Sequence, residues 1–178
     1  DQAKNWEEFR DACTYFNIPG ENMVWADKYG DIGWQAVGIA PIRKSHSGLV
    51  PVNGNGKYDW NGYLPIIEKP NLYNPEKGYI STANQNVTPD DYKRWDAVGF
   101  DWSDPYRGNR INSLIESKNK FNIDEMIDLQ VDYYSIPSEQ IIKLASGNIS
   151  NNLNYFEKLK NWNNILDKNS IAAGIYIE

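Results

Sequence analysis

Cysteine and histidine are almost missing from the 178 residues: Cys13 and His46 each occur alone. A single cysteine excludes an internal disulfide framework and any multi-cysteine metal site. A single histidine excludes the His-pair zinc motifs and leaves a Ser-His-Asp arrangement one candidate base. Basic side chains are outnumbered, 18 against 24 acidic, for a formal charge of −6. That balance argues against nucleic acid, because gripping a phosphate backbone needs clustered Lys and Arg to release its counterions. Long apolar runs are missing too, and the mean hydropathy is −0.67. No stretch approaches the roughly 20 apolar residues a membrane-spanning helix needs. No basic and then apolar leader follows Asp1, so a mature product or an excised piece of a longer protein is expected.

What is present is aromatic and asparagine-rich: seven Trp, twelve Tyr and 22 Asn, beside 13 Gly and nine Pro. Such aromatic content separates the chain from disordered tails in spite of its polarity. The length suits one domain, or one large piece of a bigger one, with enough residues for a sizeable core. With about one residue in eight an asparagine, no single Asn signifies function without its flanking motif.

Residues 2–16 have helical periodicity through Trp6, Phe9, Ala12, Cys13 and Phe16, ended by Pro19-Gly20. Two β-rich runs, Asn22–Asp27 and Asp31–Gly38, flank a turn containing Gly30 and predict a hairpin. Residues 39–78 are punctuated by Pro41, Pro51, Pro65, Pro70 and Pro75 and read as a long ordered loop region with little regular structure of its own. A short strand is expected over Gly78–Ala83. From Asp104 the pattern turns helical. Ile111, Leu114 and Ile115 mark one helix, and Asn122 with Glu125 forms a capping box opening another, with Met126, Ile127 and Leu129 on or near its buried face. Ser138 is expected to cap a third, from Glu139 to about Ala145, while Leu153, Phe156, Leu159, Trp162 and Leu166 stripe a fourth. Residues 170–177 suit a helix or a strand. The fold class is α+β: a single segment with a helix, hairpin and loop-rich part over about 1–103 and a helical part over about 104–178.

Motif chemistry taken alone offers no nucleophile. Gly54-Asn-Gly56-Lys57 lacks the spacing and Ser/Thr of a phosphate-binding loop, and turn chemistry explains its glycines. Cys13 on an apolar helix face reads as a buried structural thiol. His46, between Ser45 and Ser47, reads as a solvated loop histidine. Asp101, Asp104, Glu116, Asp124, Glu125, Asp128 and Asp132 could supply a carboxylate pair for glycoside hydrolysis, but helix starts and polar faces account for most of them. Asn86-Val-Thr88 and Asn148-Ile-Ser150 match the glycosylation pattern, as chance matches do in an Asn-rich chain.

One series of motifs changes this reading. Asn22-Met-Val-Trp-Ala-Asp-Lys-Tyr-Gly-Asp-Ile-Gly-Trp34 is followed by Gly38-Ile-Ala-Pro-Ile-Arg43, Asn55-Gly-Lys-Tyr-Asp-Trp-Asn-Gly62 and Asn74-Pro-Glu-Lys-Gly-Tyr-Ile-Ser-Thr-Ala-Asn-Gln-Asn86. Asp91-Tyr92, Tyr106-Arg-Gly-Asn-Arg-Ile111, Met126–Asp132 and Trp162–Ala173 continue it. In this collinear order, over residues 5–176, the chain resembles the penicillin amidase (penicillin acylase) family. The resemblance implies part of an N-terminal nucleophile hydrolase fold, an αββα sandwich. It also implies a self-cleaved precursor, in which the free amine of a second chain's first residue, a Ser, activates its own hydroxyl against an amide carbonyl. That chemistry needs neither His nor Cys. The resemblance places these residues in the middle of the second (β) chain, with the nucleophile elsewhere, so the segment alone is expected to be inactive.

Carried over residue by residue, Asn84 matches the family's oxyanion-hole asparagine, although Asn84-Gln85-Asn86 stands where many relatives have Asn-Asn-Arg. Arg107 matches an arginine that orders the nucleophile's hydrogen bonds and steers substrate. A structural calcium is implied, with the Asp96 carboxylate and the Gly48 carbonyl as this chain's donors and the rest outside it. Trp34 and Trp60 are assigned to the scaffold. The implied partners are the remaining β-chain and α-chain segments and a small acyl amide, with a β-lactam nucleus or a homoserine lactone as its amine. The implied location of the parent protein is periplasmic or extracellular. Two other readings stay open: a non-catalytic carbohydrate- or peptide-binding module using the aromatic loops, and a catalytically dead scaffold of the same fold.

Overall fold

The hairpin forms around an aspartate-organised turn. In the computed structural model, which describes residues 2–99, 101–147 and 154–178 but not the Asp96 side chain, β1 (Asn22–Ala26) and β2 (Ile32–Ala36) pair antiparallel. Val24 lies opposite Trp34, and Trp25 opposite Gly33. Between the strands the Asp27 carboxylate accepts the backbone N–H groups of Tyr29 and Asp31, and Gly30 takes φ +99°. β3 is Ala40–Pro41, β4 Tyr63–Leu64 and β5 Asn71–Tyr73. β5 closes on the other edge of β2, giving a sheet ordered β1-β2-β5, while β3 and β4 form a separate two-stranded ladder. The Pro-rich stretch 39–78 is therefore less irregular than its sequence suggests. A single turn of 3-10 helix at Ile66–Glu68 and three short strands lie within it.

The strand expected at Gly78–Ala83 is absent: residues 79–82 carry no ladder. β5 already occupies the β2 edge, and a turn in which Gly78 N–H donates to the Pro75 carbonyl, with Gly78 at φ +72°, redirects the chain.

α1 (Trp6–Cys13) is shorter than its periodicity, because Asn5 caps it by accepting from Glu8 N–H. Its Trp6 ring lies on β2 at Gly33, where a β-carbon would come within 2.3 Å of the indole. Trp6 also stacks on Phe9 and on Tyr73, with centroids 5.6 and 5.4 Å apart. Behind it Cys13, Val37 and Ile66 form one buried cluster, with Phe9, Phe16 and Met23 against it. A second cluster joins Ala40, Leu64 and Ala97, the last from α2 (Trp95–Val98).

The chain divides into two compact units after Ser103. The second is helical: α3 (Tyr106–Glu116), α4 (Ile123–Gln130), α5 (Ile136–Ser146), α6 (Asn154–Lys160) and α7 (Ile171–Ile177). The Asn122/Glu125 capping box is formed in both directions. α5 is capped by Ser135 rather than Ser138. Pro137 sits in the first turn, where its missing N–H costs nothing, and Ser138 is fully buried with its hydroxyl donating to the Ser135 carbonyl. Residues 170–177 resolve to helix, with the Ser170 hydroxyl capping Ala173 N–H. α6 ends at Lys160, so Trp162 and Leu166 fall beyond it, and Leu153 lies outside the described residues, as does Asn148-Ile-Ser150. Ile123, Met126 and Ile127 of α4 face solvent, not a core. A unit of 75 residues cut into short helices has too little interior to cover every apolar face. Among the described residues no helix is long and apolar enough to cross a membrane.

Candidate functional site

Asn84 occupies a backbone position few residues tolerate. It sits at φ +63°, a left-handed conformation in which asparagine is several-fold enriched. Gln85 holds the segment from both sides: its amide oxygen accepts from Ala83 N–H at 2.6 Å and its amide nitrogen donates to the Ser81 carbonyl at 3.4 Å. The Asn84 carbonyl accepts from Ser103 N–H at 3.0 Å. The Asn84 side chain is exposed and lines a cavity of about 590 Å³ together with Trp34, Lys69, Gln85, Trp102 and Ser103. Asn86 is not part of that lining; its amide oxygen accepts from Thr88 N–H in a local turn. Of the two asparagines in the motif, Asn84 is the one presented to a cavity.

The cavity wall is built from β2 and the turn before β5. Trp34 is 2% exposed, and its indole N–H donates to the Asn22 side chain at 2.7 Å. It is thus both scaffold and lining, whereas Trp60, assigned to the scaffold, is 56% exposed. Gln35 is completely buried. Its amide nitrogen donates to the Ala36 and Ile66 carbonyls at 3.0 Å, and its amide oxygen accepts from Arg10 Nε at 2.9 Å. That network fixes the turn carrying Lys69. Lys69 is 9% exposed, and its ammonium donates to the Val37 and Gly38 carbonyls at 2.6 and 2.9 Å. Burial pulls its pKa below the usual lysine value. Sequence reasoning missed Lys69, because a lysine in Glu-Lys-Pro among loop residues carries no pattern that marks it as buried.

Arg107 belongs to the other unit, in the first turn of α3, and is exposed. It lines a cavity of about 660 Å³ with Arg110, Ile111, Tyr134, Ile136 and Leu166. Arg110, one turn further along the same face, is clamped by Asp132 through two N–H···O bonds of 2.9 and 2.7 Å and lies 4.4 Å from the Tyr134 ring centroid. The guanidinium, seconded by the Tyr134 N–H, holds the Asp132 carboxyl below the usual carboxylate range. Tyr134 in turn donates its hydroxyl proton to Glu139 at 2.8 Å. Arg107 was singled out in the sequence only through its flanking motif, and the Arg110 clamp, made with a distant Asp132, was not read from it.

The other candidates fall away from chemistry. His46 is packed, not solvated: its ring meets Tyr58 edge-on at 5.9 Å, Nε2 lies 3.2 Å from the Tyr58 carbonyl and Nδ1 is buried. Cys13 is buried, which pushes its thiol pKa up and leaves it unreactive. Glu125 is committed to Lys118 and to the α4 cap, and Asp132 to Arg110. Both carboxyls are held low, the opposite of what a general acid in glycoside hydrolysis needs. Around Gly48, at φ +82°, the Arg43 guanidinium packs so closely that a β-carbon would meet Nε at 2.6 Å. The Asp96 side chain lies outside the described residues, and among the described residues no three His, Cys, Asp or Glu groups converge.

Comparison with known proteins places these features in a family. A family model described as penicillin amidase matches residues 1–178. The chain is 38% identical over 130 residues, 72% of its length, to a penicillin G acylase of Escherichia coli, covering 15% of that protein. It is 36% identical over 132 residues, 74% of its length, to the acyl-homoserine lactone acylase QuiP of Pseudomonas fluorescens, covering 16% of it. In structure it is similar to a thermostable penicillin G acylase from Alcaligenes faecalis, with a TM-score of 0.70 at 24% identity over 92% of this chain and 31% of that one. The chain thus spans about one sixth of the length of these curated relatives.

Proposed function

The chain belongs to the penicillin amidase family, and from that premise we propose that it is an internal β-chain segment of an acylase that hydrolyses a linear amide. The observation that carries the reading is Asn84, held in a left-handed turn with its side chain at the wall of a cavity. In this reading the free amine of an N-terminal Ser, supplied by a part of the protein outside these residues, takes the hydroxyl proton as Oγ attacks the amide carbonyl carbon. The carbonyl oxygen becomes negative, and the Asn84 amide N–H donates to it where charge develops. Collapse expels the amine with that proton and leaves an acyl ester, which water then hydrolyses. Arg107 orders the nucleophile's surroundings and steers substrate.

The names of the relatives support two amine classes, a β-lactam nucleus and a homoserine lactone. The three-stranded sheet with α1 on it would supply part of the αββα sandwich, completed by the remaining β-chain and α-chain segments. A periplasmic or extracellular location belongs to the same proposal. Calcium enters only in a narrow form: Asp96 and the Gly48 carbonyl would be two donors of a site completed by other segments, and no catalytic step runs through it. A sugar- or peptide-binding module is less well supported, because exposed Trp60 and Tyr63 meet edge-on and make no flat stacking platform.

The test is the intact mass and N-terminal sequence of the purified full-length gene product. Two chains are expected, the larger beginning with Ser and containing these residues. A single uncleaved chain, or a cleaved one beginning with a residue that cannot attack, would sink the catalytic reading and leave the scaffold alone.

A further inference from the structure

An asparagine side chain reacts with its own backbone most readily when glycine follows, because no β-carbon then shields the attacking nitrogen. Three such dipeptides fall within residues 53–62: Asn53-Gly54, Asn55-Gly56 and Asn61-Gly62, all exposed. Identical in sequence, they differ in how the fold holds them. At Asn61 the backbone is fastened on both sides of the reacting peptide. Asn61 N–H donates to the Ile42 carbonyl at 2.8 Å, and the Gly62 carbonyl accepts from Ile42 N–H at 3.0 Å. The next residue, Tyr63, opens β4 opposite Pro41. At Asn55 the side chain itself is engaged, its amide oxygen accepting from Lys57 N–H at 3.2 Å. At Asn53 neither restraint exists: among the described residues no hydrogen bond reaches the Asn53 side chain or the Gly54 N–H. Gly54 also stands apart from the other two glycines. Gly56 and Gly62 take φ +83° and +78°, where glycine is favoured, whereas Gly54 lies outside that region and a β-carbon on it would meet nothing within 4 Å. Turn geometry therefore explains Gly56 and Gly62, and leaves Gly54 an unfastened neighbour of Asn53.

We propose that Asn53 is a site of spontaneous deamidation, the fastest of the three. Solvent hydroxide removes the Gly54 amide proton, and the nitrogen attacks the Asn53 side-chain carbonyl carbon. An N–Cγ bond forms, the Cγ–Nδ2 bond breaks, and ammonia leaves with a proton returned from water. The resulting five-membered succinimide adds one water at either carbonyl and reopens as isoaspartate or aspartate. Nothing is oxidised or reduced, and the net exchange is one ammonia for one water. Each event adds a negative charge, and the isoaspartate form also lengthens the backbone by a methylene. Residues 50–57 are all exposed, so the loop absorbs both changes without disturbing a packed element. Asn53 is not part of the Asn84 cavity lining, and the proposal does not depend on the acylase reading.

Full-length gene product is incubated at mildly alkaline pH, natively and in guanidinium chloride. The three dipeptides are followed by peptide mapping, with isoaspartate counted by isoaspartyl methyltransferase labelling. In guanidinium the three should react at similar rates, since each pairs asparagine with glycine. In the native protein Asn53 should keep nearly its unfolded rate. Asn61 should fall behind it by about tenfold or more, the scale of the backbone hydrogen bonds that must first break, with Asn55 in between. Gly54→Ala, which has room for its methyl group, should keep the denaturation midpoint and slow Asn53 several-fold while leaving Asn61 unchanged. Asn53→Gln should remove the first charge variant to appear. An Asn53 amide that survives native incubation while the unfolded sample loses it overturns the proposal. Native loss at equal rates from all three, or first from Asn55 or Asn61, overturns it too. If Gly54→Ala does not fold, the native and unfolded rates of the unaltered protein still decide.

Discussion

At the scale of single residues, conformation and chemistry can be separated at Asn84. Its φ of +63° suits glycine as well as asparagine, whereas alanine there carries backbone strain of about 1 kcal/mol. In the full-length protein, Asn84→Gly and Asn84→Ala should both reduce kcat by roughly a hundred- to a thousandfold. Only Asn84→Ala should also lower the urea midpoint; equal turnover in Asn84→Gly and wild type would remove the side chain from the reaction. The Arg110–Asp132 clamp makes a pH prediction. Both side chains are about three-quarters buried, and Asp132→Asn should cost about 1–2 kcal/mol near neutral pH. Because the folded state lowers the Asp132 pKa, that contribution is complete above the unfolded value of about 3.9 and disappears as pH falls through the lower folded value. Denaturation of wild type and variant from pH 7 to pH 2 should show the two curves converging only at the acid end.

At the scale of elements, local chemistry was legible where a side chain acts within one turn of itself. Asn122 and Glu125 announce a helix start in four residues, and both halves of the box form. Asn122→Ala should cost about 1 kcal/mol and raise amide exchange in the first turn of α4, with α3 unaffected; unchanged exchange there would mean the cap is idle. The hairpin was legible for the same reason, since Asp27 and Gly30 settle its turn locally. What escaped depended on distant neighbours. β5 exists because β2 presents an open edge far earlier in the chain, and the pairings Gln35–Asn71, Trp34–Leu72 and Gly33–Tyr73 are encoded by no local pattern. Gly78–Ala83 has strand-like residues, but β2 is already paired on both edges and the turn at Gly78 redirects the chain. Asn84 was identifiable only through its flanking motif, and burial of Lys69 by Gln35 and the Gly38 turn has no counterpart in composition.

At the scale of the whole molecule, the apolar surface of the helical unit is unusual for a polar chain. Ile123 is 80% exposed, Leu144 70%, and Ile171 and Ile177 each 69%. Surfaces of this kind normally meet another surface, and the chain spans only about one sixth of the relatives' length. The 178 residues expressed alone should therefore enhance the fluorescence of a hydrophobic dye, and the full-length protein should do so much less per molecule; equal enhancement would show that the rest of the protein leaves these faces bare. The seat of Trp6 on Gly33 reaches across the same scale. Moving β2 by one residue would bring Ile32 or Trp34 beneath the indole, and by two, Asp31 or Gln35. Only glycine leaves room for the ring. The first helix can therefore dock on one alignment of the strands and is turned away by its neighbours, so α1 acts as a proofreader of the hairpin it covers.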